Sequence, residues 1–123
     1  MSENITNIED RVKPVKVQDH ASGNTYELDF SRESVKFAES RGFKLDEVTD
    51  FPATKIPELF WYAFRKNHKN MALNQTGEIL ERMGGVTPAL LGRLSQLYNQ
   101  AALTHLIISD EDAAKNAEVT VEL

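Results

Sequence analysis

The longest unbroken apolar stretch of the chain is residues 59–64, Leu-Phe-Trp-Tyr-Ala-Phe. It falls far short of the roughly 20 apolar residues that a membrane helix needs. Pro57, a good first-turn residue, precedes it, and Arg65, Lys66, His68 and Lys69 follow where cations favour the helix dipole. The run therefore reads as a helix over 57–68. Leu59, Phe60, Ala63 and Phe64 share one face, and Trp61 and Tyr62 widen it. That is more than one side of a small bundle usually buries. Two outcomes stay open: everything is core, or part of Trp61 and Tyr62 forms a recognition surface, since such residues dominate interface hot spots.

The remaining segments supply a partner for this helix. Val12, Val15 and Val17 are interrupted by Pro14, which confines this segment to an edge or to a break in pairing. A turn cluster at 19–24 leads to Tyr26, Leu28 and Phe30 alternating with Glu27 and Asp29, which completes a β-hairpin with one buried face. Ser31 then reads as a helix N-cap with Glu33 in the first turn, and Phe30 and Val35 stand at hydrophobic-staple spacing. Gly42 ends that helix, with Phe43 folding back on Ala38, so 31–41 is specified at both ends. Residues 45–50 add a turn before Pro52 interrupts it. A further helix over 75–83 aligns Ile79, Leu80 and Met83 and stops at Gly84-Gly85. The last opens with Thr87 as cap and Pro88 inside, and aligns Leu90, Leu91, Leu94, Leu97, Tyr98, Ala101 and Leu106. The expected fold class is α+β, an N-terminal hairpin followed by a bundle of about four helices.

Length and charge set the outer limits. A chain of 123 residues suits one domain, which would bury about two-thirds of its unfolded surface. Zero cysteines exclude disulfides, cysteine-ligated zinc, iron–sulfur clusters and thiol nucleophiles. Residues 110–123 hold five acids and one base, whereas the rest is close to neutral. The division expected is a flexible N-terminus over 1–10, one globular domain over 11–108 and an acidic tail over 109–123. A net charge of −5 argues against a dedicated nucleic-acid or anionic-membrane binder. Residues 1–10 carry no basic or apolar signal region, so the location expected is cytoplasmic.

Catalytic chemistry finds little support. His20, His68 and His105 are far apart in sequence, with no zinc-ligand spacing. They read as a turn residue, a helix-end cation and a tolerated position beside the apolar stripe. Gly84-Gly85 lacks the Gly-Lys-Ser/Thr of a phosphate loop and reads as a helix-to-helix turn. Glu78 and Glu81 read as a solvated face. No nucleophile motif is present, so neither an enzyme nor a cofactor is expected. Arg65, Lys66 and Lys69 after the aromatic run admit stacking with a single-stranded nucleic acid, but three cations on an acidic chain favour a dipole-compensating helix end. The tail ends with Val119, Val121 and Leu123 alternating with polar residues, a strand-like pattern that can pair with another sheet edge, pair with the hairpin at home, or stay disordered. The partner-binding residues expected are Phe60, Trp61, Tyr62, Phe64, Arg65, Tyr98, Val119 and Val121.

The order of these motifs resembles a family. Residues 26–39 closing at Gly42-Phe43, then Pro57 with Leu59-Phe60 and Ala63-Phe64, and the leucine helix around 94–98, are similar to the tail assembly chaperones of long-tailed phages and prophages of Gram-positive bacteria. The resemblance covers residues 24–108 and rests on structural motifs. It implies a non-enzymatic protein that binds the tape measure protein, keeps that long helical chain soluble and helps recruit tail tube subunits. Self-association along the client is expected with it, as is action in the host cytoplasm. Two rivals are an adaptor of another mobile element that binds a folded partner through the aromatic surface, and a weak binder of single-stranded nucleic acid.

Overall fold

Two short strands open the structure because alternating apolar residues flank a turn built from polar ones. A computed structural model describes residues 11–104, 106, 110–115, 118–119 and 121–123. The expected flexible N-terminus over 1–10 lies outside these residues, as do His105, Ile107 and Ile108. Strand β1 is Val15–Asp19 and β2 is Asn24–Leu28, paired antiparallel from Val15 opposite Leu28 to Asp19 opposite Asn24. Asp19 organises the turn. Its Oδ1 accepts from the Ala21 N–H (3.1 Å), its Oδ2 accepts from the Ser22 hydroxyl (3.0 Å), and its carbonyl accepts from the Gly23 N–H (2.8 Å) at φ +79°. Pro14 stands just outside the ladder, where its missing N–H costs nothing.

Helix α1, Arg32–Ser40, has the predicted ends. Ser31 Oγ accepts from the Ser34 N–H (3.1 Å), and Ser34 Oγ accepts from the Ser31 N–H (2.9 Å), a reciprocal cap. At the other end Gly42 adopts φ +85°, and the N–H groups of Gly42 and Phe43 donate to the carbonyls of Glu39 (2.9 Å) and Ala38 (3.0 Å). A single 3-10 turn at Leu45–Glu47 leads into α2.

Helix α2 is Pro52–Phe64, and here the structure corrects the sequence reading. The turn at 45–47 does end before Pro52, as expected, but Pro52 itself occupies the first turn of α2, and Pro57 lies inside the helix. Either proline suits a first turn, so local rules cannot choose between them. Over the added turn Lys55 pairs with Glu47 and Glu58 at 3.5 Å each, and Ile56 packs on the core. Helix α3, Leu73–Met83, begins earlier than expected because the Gln75 side chain accepts from the Ala72 N–H (2.7 Å). Gly84 ends it at φ +81°. Helix α4, Pro88–Leu103, is capped by Thr87, whose Oγ1 accepts from the Leu90 N–H (3.0 Å). It stops before Leu106, which is 63% exposed, because the core ends there. A short α5, Asp110–Ala114, follows.

Among the described residues the architecture is α+β, a hairpin followed by the four main helices α1 to α4 and the short α5, with α2 at its centre. Helix α2 packs against β2, the 3-10 turn, α1, α3 and α4. Leu59, Phe60, Ala63 and Phe64 are fully enclosed, together with Leu28 and Ala38. Burying each large side chain of this set contributes about 1.5–3 kcal/mol. The C-terminal end of α2 also covers the outer edge of β2. The Asp29 N–H donates to the Ala63 carbonyl (3.0 Å), the Glu27 N–H donates to His68 Nε2 (3.1 Å), and Asn67 Nδ2 donates to the Glu27 carbonyl (3.2 Å). One edge of the two-stranded sheet is thereby closed, and the other belongs to β1.

Candidate functional site

Phe37 and Arg41 stand one helical turn apart across the end of α1, as Trp61 and Arg65 do across the end of α2. Packing of α1 on α2 brings the pairs together into one face. The Phe37 and Trp61 rings meet edge-on at 6.0 Å, and Trp61 lies 5.0 Å from Tyr62. The Arg65 guanidinium sits over Phe37 at 3.6 Å, and that of Arg41 lies 5.6 Å from Phe37 and 5.4 Å from Trp61. Trp61 Nε1 donates to the Met71 carbonyl (2.8 Å), which fixes the indole against the loop after α2. Among the described residues neither guanidinium has a carboxylate within 4 Å. Phe37, Trp61 and Arg65 are half-buried and Arg41 is exposed, so ring edges and guanidinium groups remain open to a partner. Below them Tyr62 closes the floor. Burial pushes its phenol above the usual value, and the nearby Arg41 partly offsets this.

The expected partner-binding residues divide into two groups. Phe60 and Phe64 are fully buried, and Tyr62 and Tyr98 are 3% and 5% exposed, so the structure corrects the expectation for these four. Phe60, Tyr62 and Phe64 lie on the faces of α2 that its neighbours cover, and Tyr98 of α4 packs on Phe30 and Phe43. Trp61 and Arg65 do reach the surface, and Val119 and Val121 are 67% and 78% exposed. Phe37 and Arg41 were missed. Their spacing on a well-defined helix was the available signal, but only the packing of α1 on α2 shows that they join Trp61.

The basic segment after α2 is largely engaged. Lys66 Nζ pairs with Asp29 Oδ2 at 2.7 Å, and Asp29 Oδ1 also accepts from the Phe30 N–H (2.8 Å). His68, expected as a helix-end cation, accepts a hydrogen bond through Nε2 and stacks edge-on with Tyr26 at 5.2 Å. That acceptor role needs an unprotonated nitrogen. These groups dock α2 onto β2, which leaves few of them for phosphate. Gly84 and Gly85 cap α3, with their N–H groups bonded to Glu81 and Leu80 (3.0 and 3.1 Å). Among the described residues no group of three His, Asp or Glu converges as a metal site, and no helix is long and apolar enough to cross a membrane.

A family model described as "Domain of unknown function (DUF5055)" matches residues 1–123, so the chain belongs to that family. No curated protein and no solved structure matches it.

Proposed function

We propose that this DUF5055 member is a non-enzymatic phage tail assembly chaperone, acting in the bacterial host cytoplasm. It binds the tape measure protein, keeps it soluble and helps recruit tail tube subunits. The resemblance over residues 24–108 supports this reading, and one structural observation carries it: the face of Phe37, Arg41, Trp61 and Arg65. Tryptophan and arginine are the residue types that concentrate binding energy at protein interfaces. The apolar stripe of a client helix lies on the ring edges, and acidic residues flanking that stripe pair with the two guanidinium groups.

Co-expression with the tape measure protein, followed by pull-down and size-exclusion chromatography with light scattering, tests the proposal. A client insoluble alone and soluble in a co-eluting complex is the expected result. Trp61→Ala and Arg41→Glu should each weaken that complex by at least about 2 kcal/mol while circular dichroism stays unchanged. No complex and no rescue of solubility would overturn the proposal in favour of an adaptor for a folded partner.

A further inference from the structure

In the antiparallel ladder, residues alternate between facing the paired strand and facing away from it with their backbone groups. Glu27 gives both its N–H and its carbonyl to residues after α2, so its backbone faces away from β1. Lys16 is its cross-strand partner, and its backbone therefore faces outward on the opposite edge, as does that of Gln18 two residues on. No described residue bonds to these outward groups. The edge is bordered by Arg11, Lys13 and Lys16, all exposed and none in an ion pair among the described residues. On the inner face of the sheet, beside β1, a groove of about 320 Å³ opens between Val17 and the α3 residues Ile79 and Met83. Arg82 spans one end of this groove, where it pairs with Asp19 at 2.6 Å.

The same chain carries a segment that fits this edge. Residues 118–123 alternate acidic or polar side chains with Val119, Val121 and Leu123, and both valines are well exposed. We infer that residues 118–123 of one copy add to the β1 edge of a second copy as a third, antiparallel strand. Setting residue 122 opposite residue 16 puts Glu122 beside Lys16 on the outer face, an opposite-charge cross-strand pair. The same register puts Val121 beside Val17 and turns Val119, Val121 and Leu123 toward the groove with Ile79 and Met83. Charge selects the occupant: residues 118–123 carry two acids and no base, and this register sets Glu122 against the exposed Lys16 of the edge, unpaired among the described residues. Each copy offers one edge and one strand, so the contact is head-to-tail and supports dimers or longer arrays. This inference does not rest on the proposed client.

Light scattering on the full chain across a concentration series provides the test. Mass should rise with concentration above the 13.9 kDa of one chain, and salt should lower it. Thr120→Pro removes a ladder donor and should weaken association at least about tenfold. Lys16→Glu and Glu122→Lys should each weaken it by roughly two- to fivefold, and the double variant should restore it. A single-chain mass at every concentration would overturn the inference, as would an assembly indifferent to Thr120→Pro and the charge swaps. Amide protection of Lys16 and Gln18 in a single-chain species, lost in Thr120→Pro, would place the segment on its own edge and equally overturn it.

Discussion

Tyr98 shows how a single side chain ties this fold to its protonation state. The ring meets Phe30 at 5.1 Å and Phe43 at 5.6 Å, and the residue is 5% exposed. Burial, reinforced by Glu39 and Tyr62, pushes its phenol up to about 12 from an ordinary value near 10. The folded state therefore keeps the proton more tightly than the unfolded chain. The associated stability is complete below about pH 10 and is lost as pH rises toward about 12. At roughly 1.4 kcal/mol per pKa unit, the loss is on the order of 3 kcal/mol. Urea unfolding of Tyr98→Phe should show a flatter alkaline limb than the parent. Equal alkaline losses in the two proteins would mean that another group is responsible.

Among the elements, α2 makes the sharpest prediction because its start differs between sequence and structure. A helix beginning at Pro57 would place that proline where a missing N–H is harmless, and Pro57→Ala would then be close to neutral. In a helix beginning at Pro52, Pro57 forfeits an interior hydrogen bond to the Ala53 carbonyl. Pro57→Ala should therefore raise stability by about 1–3 kcal/mol, measured as a higher urea midpoint at unchanged m-value. A neutral result would return the helix start to Pro57. The ends of α1 behave differently, since Ser31 and Gly42 do their work within a few residues of themselves. Caps of this kind are legible in a sequence because donor and acceptor are close along the chain.

At the scale of the whole molecule, β2, the 3-10 turn, α1, α3 and α4 all border α2, so the core has one centre. Phe60→Ala removes a fully enclosed ring from that centre and should cost about 3–5 kcal/mol in equilibrium unfolding. A loss below about 1 kcal/mol would show that the core can collapse around the gap. The hairpin, the caps of α1 and α4, and the glycine stops were readable beforehand, because each depends on periodicity or on hydrogen bonds spanning a few residues. The candidate site was only half readable. Trp61 and Arg65 stood out by residue type, but Phe60, Tyr62, Phe64 and Tyr98 are as aromatic and lie inside. Sequence by itself determined the α+β order of elements and where most of them stop. Only the tertiary structure decided which faces of α2 are enclosed, that Phe37 and Arg41 join Trp61, and that α2 closes the β2 edge while no described residue pairs with the outer edge of β1. Those outcomes depend on contacts between residues far apart in the chain, which local pattern does not encode.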